Sequence, residues 1–323
     1  MDFLEKYHVL FSDFLKQNAF AKEPKNLYEP VNYILTLGGK RIRPLLLLMS
    51  ADIFGKNAEE ALDAAFAVEI FHNFTLLHDD IMDEAPLRRG QPTVHKKYDT
   101  NTAILSGDVM MVYASQYISD YEPQLSFRLH KIFNKMAIEV CEGQQLDMDF
   151  EKLENVSIPE YIHMITYKTS VLIGAAMQMG ALIGGMDEKS AQHLYGFGVN
   201  IGVAFQMQDD VLDTFGEPKV GKQAGGDIIQ NKKTYLYLKA LELASNSEKE
   251  ELLLLYKTRP ENPAEKIARV KQLFKELHVT LHCEEVKNAY RDLALSHLNS
   301  IKMSGEQKKM FESFADYLLT RSN

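Results

Sequence analysis

AEEALDAAFAVEIFHNFTLLHDDIMDEA, residues 58–85, sets Ala61, Ala65, Val68 and Phe71 at the threes and fours of one helix face, continues apolar to Leu76, and stops before Pro86. Near its C-terminal end stand Asp79, Asp80 and Asp83. The same Asp-Asp-x-x-Asp returns as Asp209, Asp210 and Asp213, again after an apolar helical run. In each copy the first and last Asp lie one turn apart on the same face. Carboxylates stacked in this way repel and cost helix stability. One copy could be a cap or a solvated face; two copies with the same spacing and flanks point to cations. Hard oxygen ligands suit Mg2+, which takes one or two carboxylates together with phosphate oxygens of a substrate.

Working outward, helical periodicity dominates and no run alternates as a strand does. Gly38 and Gly39 mark a helix C-terminus, and Pro44 opens a helix ending near Gly55. Further helices are expected over 101–121, 125–150, 158–185 and 188–215, then amphipathic helices after a break at 258–263. Small residues at 174–185 predict close helix packing. Residues 216–233 are rich in Gly and Lys and read as a mobile loop placed to close over a ligand. The expectation is an all-α bundle of long helices in one domain, residues 1–323.

The 323-residue chain carries a net charge of −9, which argues against a nucleic-acid binder. Cys141 and Cys283 are its only cysteines, which fits a reducing cytoplasm without disulfides. The N-terminus has no signal-peptide order, and the apolar run at 171–186 is too short and too interrupted for stable membrane insertion.

Basic residues near the acidic clusters say what the metal is for. They are Lys40, Arg41 and Arg43 in GGKRIRP, Arg88 and Arg89 after the first cluster, Lys168 beside Thr169, then Lys222, Lys232 and Lys233. Arg pairs with phosphate through a fork and Lys acts as a point charge. Arg41 and Lys233 are read as solvated, or paired with a nearby Asp. Cations interleaved with Mg2+-type carboxylates around an apolar bundle suit a diphosphate whose remainder is hydrocarbon. His72, seven residues before Asp79, shares its face and suits a phosphate contact, whereas His78 and His95 read as structural.

GGKRIRP, HNFTLLHDDIMD followed by LRRG, Lys168-Thr169, FQMQDDVLD and the GKxxGxD loop, in that order from Gly38 to Lys233, resemble the trans-isoprenyl diphosphate synthases, or polyprenyl synthetases. The resemblance implies a helical bundle around a deep cavity, a homodimer, and head-to-tail condensation of isopentenyl diphosphate with an allylic diphosphate. It implies Asp79, Asp83 and Asp209 as ligands of a three-Mg2+ cluster. Asp80, Asp213 and Asp227 would support the cluster or its waters, and Asp210 is counted with the metal site. Arg88, Lys168, Lys222 and Lys232 would hold the allylic diphosphate, and Lys40, Arg43, His72 and Arg89 the isopentenyl diphosphate. Gln144 and Asp147 would stand behind the cavity wall. Lys168, through its carbonyl, Thr169 and Gln206 would lie near the allylic cation.

Phe74 and Thr75 are expected at the floor that stops chain growth, Phe74 being about 7.5 Å along the helix from Asp79. Met110, Met111 and Tyr113 either complete that floor or simply pack. A bulky Phe74 beside a small Thr75, with no insertion in the first motif, resembles archaeal-type geranylgeranyl synthases. The expected product lies between farnesyl and geranylgeranyl diphosphate, leaning to the longer. A terpene cyclase would usually carry a different second metal motif, and a non-catalytic partner subunit would have lost aspartates or cations.

Overall fold

The computed structural model describes residues 2–216 and 225–320. It divides into two compact units, Met1–Lys135 with Ala175–Tyr195, and Met136–Gly174 with Gly196–Asn323. Its helices are α1 (Asp2–Gln17), α2 (Lys25–Thr36), α3 (Ile42–Ile53), α4 (Leu62–Met82), α5 (Val94–Lys97), α6 (Thr100–Ser119), α7 (Pro123–Lys152), α8 (Ile158–Ile165), α9 (Val171–Ile183), α10 (Glu188–Phe215), α11 (Gly226–Gln230), α12 (Tyr235–Leu243), α13 (Asn246–Leu255), α14 (Ala264–Glu276), α15 (Val279–Asn299) and α16 (Gly305–Leu319). The fold is all-α, as expected. Among the described residues, no helix is long and apolar enough to cross a membrane.

In the first unit α4 packs mainly along α6 and α3. Residues Ala64 through Phe71 of α4 are buried without a break, so this helix is enclosed on every side rather than on one stripe. Its alanines let neighbours approach. The stretch Leu45–Ala51 of α3 is buried in the same way. Against α3 lies α9, where a Cβ placed on Gly180 would stand 2.2 Å from the Leu47 carbonyl oxygen. The small residues at 174–185 therefore do serve close packing.

Arg41 lies inside this unit and not on its surface. Its guanidinium pairs with the buried Glu69 of α4 and donates to the Leu35 carbonyl. Glu69 also accepts from Asn73 Nδ2 at 2.7 Å. The sequence reading placed Arg41 in solvent or beside an Asp; its true partner is twenty-eight positions away and a turn of chain brings them together. A two-residue hairpin, β1 (Leu87–Arg88) with β2 (Gln91–Pro92), follows α4. Arg89 (φ 53°) and Gly90 (φ 77°) form its turn. Strands this short have no period to read.

In the second unit the expected helix at 158–185 is interrupted. Thr166–Ser170 form a π-turn between α8 and α9. Capping boxes start α8 (Ser157 and Glu160), α13 (Ser245 and Glu248) and α16 (Ser304 and Gln307). Helix α12 runs through the apolar core, with Tyr235, Leu236, Tyr237 and Leu238 buried. Of the expected loop at 216–233, residues 217–224 lie outside the described residues, Lys222 among them. The remainder is not all loop: α11 makes one short turn between left-handed residues Gly225 (φ 84°) and Asn231 (φ 61°).

Removing Glu69 leaves Arg41 charged and buried without its partner. Glu69→Ala should lower unfolding stability by about 3–5 kcal/mol in urea melts. Replacing both residues with apolar ones of similar volume should restore most of the loss. Equal stability of wild type and Glu69→Ala would show that the pair holds nothing.

Candidate active site

Within the second unit a cavity of about 140 Å3 is lined by Lys168 and Thr169 of the π-turn, Gln206 and Asp210 of α10, and Asp227, Lys232 and Lys233 around α11. Phe150, Met164 and Ile165 supply an apolar wall, and Asp147 of α7 stands beside them. The π-turn reaches this place because α7 carries Gly143, where a Cβ would lie 2.2 Å from the Lys168 backbone nitrogen. Any larger residue would push the turn away. Lys168 Nζ then donates to Asp147 Oδ2 at 2.5 Å, half-buried, which fixes the ammonium at the cavity edge.

Asp210 is buried, and its Oδ2 accepts from Tyr161 Oη at 2.7 Å and from the Tyr235 N–H at 3.2 Å. Burial, then the charges of Asp227 and Asp209, push its carboxyl well above the usual carboxylate range, against the pull of the two hydrogen bonds. Burial and Asp210 likewise push the Tyr161 phenol well up, so it stays a donor. Asp213 has a different task. Its Oδ2 accepts the Asp227 N–H at 2.9 Å and its carbonyl accepts the Gly225 N–H at 2.7 Å. It therefore caps α11 and aims Asp227. The Lys232 N–H closes the turn onto the Asp227 carbonyl at 2.9 Å.

Lys233 corrects the sequence reading. It is half-buried, lines the cavity, and donates Nζ to the carbonyls of Phe150 and Leu153. Burial lowers its ammonium pKa. The end of α7 leaves carbonyls without helical partners, and this lysine satisfies two of them. Tyr161 was missed altogether, since an aromatic on an amphipathic helix carries no local sign of a carboxylate forty-nine positions on.

The first unit holds a separate group of charges. Arg88 grips the buried Asp80 through Nε at 2.7 Å and Nη2 at 2.8 Å, leaving Nη1 for another acceptor. Burial raises the Asp80 carboxyl, and Arg88 opposes it. Asp79 and Asp83 stand one turn apart at the end of α4, the Asp83 N–H bonded to the Asp79 carbonyl at 2.8 Å. Arg43 Nη1 lies 3.1 Å from His72 Nε2. Guanidinium only donates, so Nε2 accepts and the ring is neutral. Burial and then the charges of Arg43, Arg89, Arg88 and Arg41 hold its pKa well below the ordinary value. Arg89 donates to the Gly38 carbonyl, its guanidinium lying over Gly39, and exposed Lys40 follows. Lys40, Arg43, His72 and Arg89 thus belong to one neighbourhood, whereas Lys222 is outside the described residues.

Phe74 is half-buried, its ring 4.7 Å from the His78 imidazole and 5.6 Å from Phe71. Thr75 Oγ1 donates to the His72 carbonyl at 2.8 Å, which leaves its methyl as the outward surface. His78 packs on Gly107 with Nε2 3.3 Å from the Ile104 carbonyl, a structural role. Met110 is fully buried, and Tyr113 packs on Phe20 at 4.8 Å and accepts from Lys22 Nζ.

Among the described residues, no three His, Cys, Asp or Glu side chains close around a metal. Mg2+ takes hard oxygen ligands, one or two carboxylates together with water and phosphate oxygens. Asp79 and Asp83 in one unit, and Asp209 and Asp227 in the other, are the carboxylates suited to it.

The sequence matches the polyprenyl synthetase family over residues 24–277. A geranylgeranyl pyrophosphate synthase of Geoglobus acetivorans is 38% identical over 97% of this chain and 97% of its own. A geranylfarnesyl diphosphate synthase of Natronomonas pharaonis is 34% identical over 94% of this chain and 92% of its own. The crystal structure of a geranylgeranyl pyrophosphate synthase superposes with a TM-score of 0.95 at 47% identity, covering 99% of each chain. With the motifs in their order and the bundle in its place, the chain belongs to the polyprenyl synthetase family and is a prenyltransferase.

Proposed function

We propose that this prenyltransferase joins isopentenyl diphosphate head-to-tail to allylic diphosphates (dimethylallyl, geranyl and farnesyl) in a Mg2+-dependent reaction. Its product is a short all-trans prenyl diphosphate, geranylgeranyl in preference to farnesyl. The carrying observation is one cavity wall that combines Lys168, Thr169 and Gln206 with Asp210, Asp227 and Lys232. It acts in the cytoplasm as a homodimer; Leu105 and Val112, exposed and two turns apart on α6, offer an apolar stripe for the second copy.

When bound, Mg2+ neutralises charge on the departing diphosphate as the allylic carbon–oxygen bond ionises. Lys168 and Lys232 add fixed positive charge, Lys168 being held in place by Asp147. The Lys168 carbonyl, Thr169 and Gln206 present oxygen dipoles to the allylic cation. Phe150, Met164 and Ile165 keep water from quenching it. In the other unit Lys40, Arg43, His72 and Arg89 hold isopentenyl diphosphate, whose double bond attacks the cation. The released diphosphate accepts the final proton, so no protein nucleophile is required. Phe74 limits chain growth: its ring is braced by His78 and Phe71 and cannot swing aside freely.

Purified protein with Mg2+, isopentenyl diphosphate and each allylic primer should release longer diphosphates, and EDTA should abolish turnover. A hydrocarbon product would mean a cyclase, and no turnover a non-catalytic subunit. Phe74→Ala should shift the product distribution to longer chains; an unchanged distribution rules Phe74 out as the floor. Asp147→Asn should lower kcat about tenfold to a hundredfold, the worth of one charge-assisted hydrogen bond. It should leave the KM for isopentenyl diphosphate within about twofold, because that substrate is held by other residues. A rise in that KM with kcat intact would assign Asp147 a different role.

A further inference from the structure

A second cavity, of about 320 Å3, opens in the second unit and shares Lys233 and Glu151 with the one described above. Residues 153–155 after α7, residues 230, 231 and 233 from the end of α11, and residues 253, 256, 257 and 259 around the end of α13 line it. Its charge is unbalanced. Lys233 Nζ has only the carbonyls of Phe150 and Leu153 as hydrogen-bond acceptors. Behind the wall, buried Lys266 donates to Asn231 Oδ1 and to the Thr258 carbonyl at 2.9 Å. Arg259 Nη2 donates to the Gln230 carbonyl at 3.2 Å, and exposed Lys257 completes the cationic side. Among the described residues none of these four cations forms an ion pair. Glu151 and Glu154 belong to the lining but are exposed, where water screens them.

Burying ammonium groups beside neutral oxygens costs free energy, and the charge of exposed Glu151 near Lys233 and the Tyr256 ring 5.5 Å from Lys266 Nζ offset it only in part. Burial lowers the pKa of both Lys233 and Lys266, and Arg259 presses Lys266 further down. An anion in the cavity would pair with Lys233, Lys257 and Arg259, the three that line it, and offset the burial of Lys233. The fork of Arg259 and the point charge of Lys257 come from one chain segment and the point charge of Lys233 from another, an arrangement suited to an extended anion with several oxygens. Leu253 and Tyr256, the latter stacked on Tyr237 at 3.9 Å, supply an apolar flank beside them.

We propose that this cavity binds the diphosphate group of a small molecule at a site separate from catalysis and independent of divalent cation. Under the proposed function two such molecules arise in every turnover, inorganic diphosphate and a prenyl diphosphate, so their link to this site rests on that reading. Occupancy reaches the catalytic cavity through residues 225–234. Asp227 and Lys232 face one cavity, Gln230 and Asn231 the other, and Lys233 lines both.

Titration calorimetry in EDTA, with inorganic diphosphate and with geranyl diphosphate, tests this on the full chain. Wild type should bind one equivalent at this cavity, in addition to any held by Lys40, Arg43, His72 and Arg89, and the former is the one the cavity variant weakens. The double variant Lys257→Ala, Arg259→Ala, exposed and outside the catalytic wall, should bind at least about tenfold more weakly while keeping its turnover. Tighter binding of geranyl diphosphate assigns a prenyl ligand that uses the Leu253–Tyr256 flank, and equal binding assigns inorganic diphosphate. Absence of binding in EDTA, or equal affinity of variant and wild type, overturns the site. Binding that persists in a protein without turnover would sink the synthase reading and leave this one standing.

Discussion

Asp210 sits among the apolar side chains of the second unit, and its Oδ2 accepts two hydrogen bonds, one from the Tyr161 phenol and one from the Tyr235 backbone. A carboxylate in such a place is costly unless donors meet it. Meeting it ties three elements together: α10, which carries the aspartate; α8, which brings Tyr161; and the start of α12, which offers Tyr235. Ahead of α12, Asp227, Lys232, Lys233 and Thr234 line the cavity. Asp213 then caps α11 and turns Asp227 toward the cavity. One buried carboxylate therefore fixes the frame around the half-buried Asp213 and Asp227.

The same rule governs the other charges. Asp80 is met by Arg88, Glu69 by Arg41 and Asn73, and Asp147 by Lys168. These pairs contribute little net stability, since desolvation offsets attraction. What they do is hold a guanidinium or ammonium in one orientation, which lowers the entropy cost of any further contact it makes. His72 extends this to a neutral group: the surrounding arginines keep its ring uncharged, and an uncharged ring can accept from Arg43.

Much of this was legible in the sequence because it is local. Helix α10 spans Glu188–Phe215, the expected 188–215, since periodicity, a start after Gly185 and a stop at Gly216 all agree. The aspartate motifs were legible because their oddity, stacked carboxylates on a helix, lies within five residues. The π-turn was not, because Thr166–Ser170 are ordinary helix residues and the glycine that admits the turn, Gly143, is on another helix. Arg41 and Lys233 were misread for a related reason. A charged residue reads as solvated when its partner, Glu69 or a helix-end carbonyl, is set by tertiary structure. Tyr161 failed likewise, its role depending wholly on a contact with Asp210.

The chain's net charge of −9 and its cationic cavities are parts of one arrangement. Charge spread over a surface acts at long range and is screened within about 8 Å at physiological salt. A cation set in a cavity wall acts at short range, where less water intervenes. An acidic exterior therefore discourages nucleic acid, whose size prevents it from reaching Lys168 or Lys232. A small anion can enter, and once inside it meets the Lys168 ammonium, already held by Asp147, and Lys232, whose backbone is fixed on the Asp227 carbonyl. Selection between polyanions and small diphosphates then needs no dedicated recognition element. It follows from setting Lys168 and Lys232 in a cavity wall, where a small molecule fits.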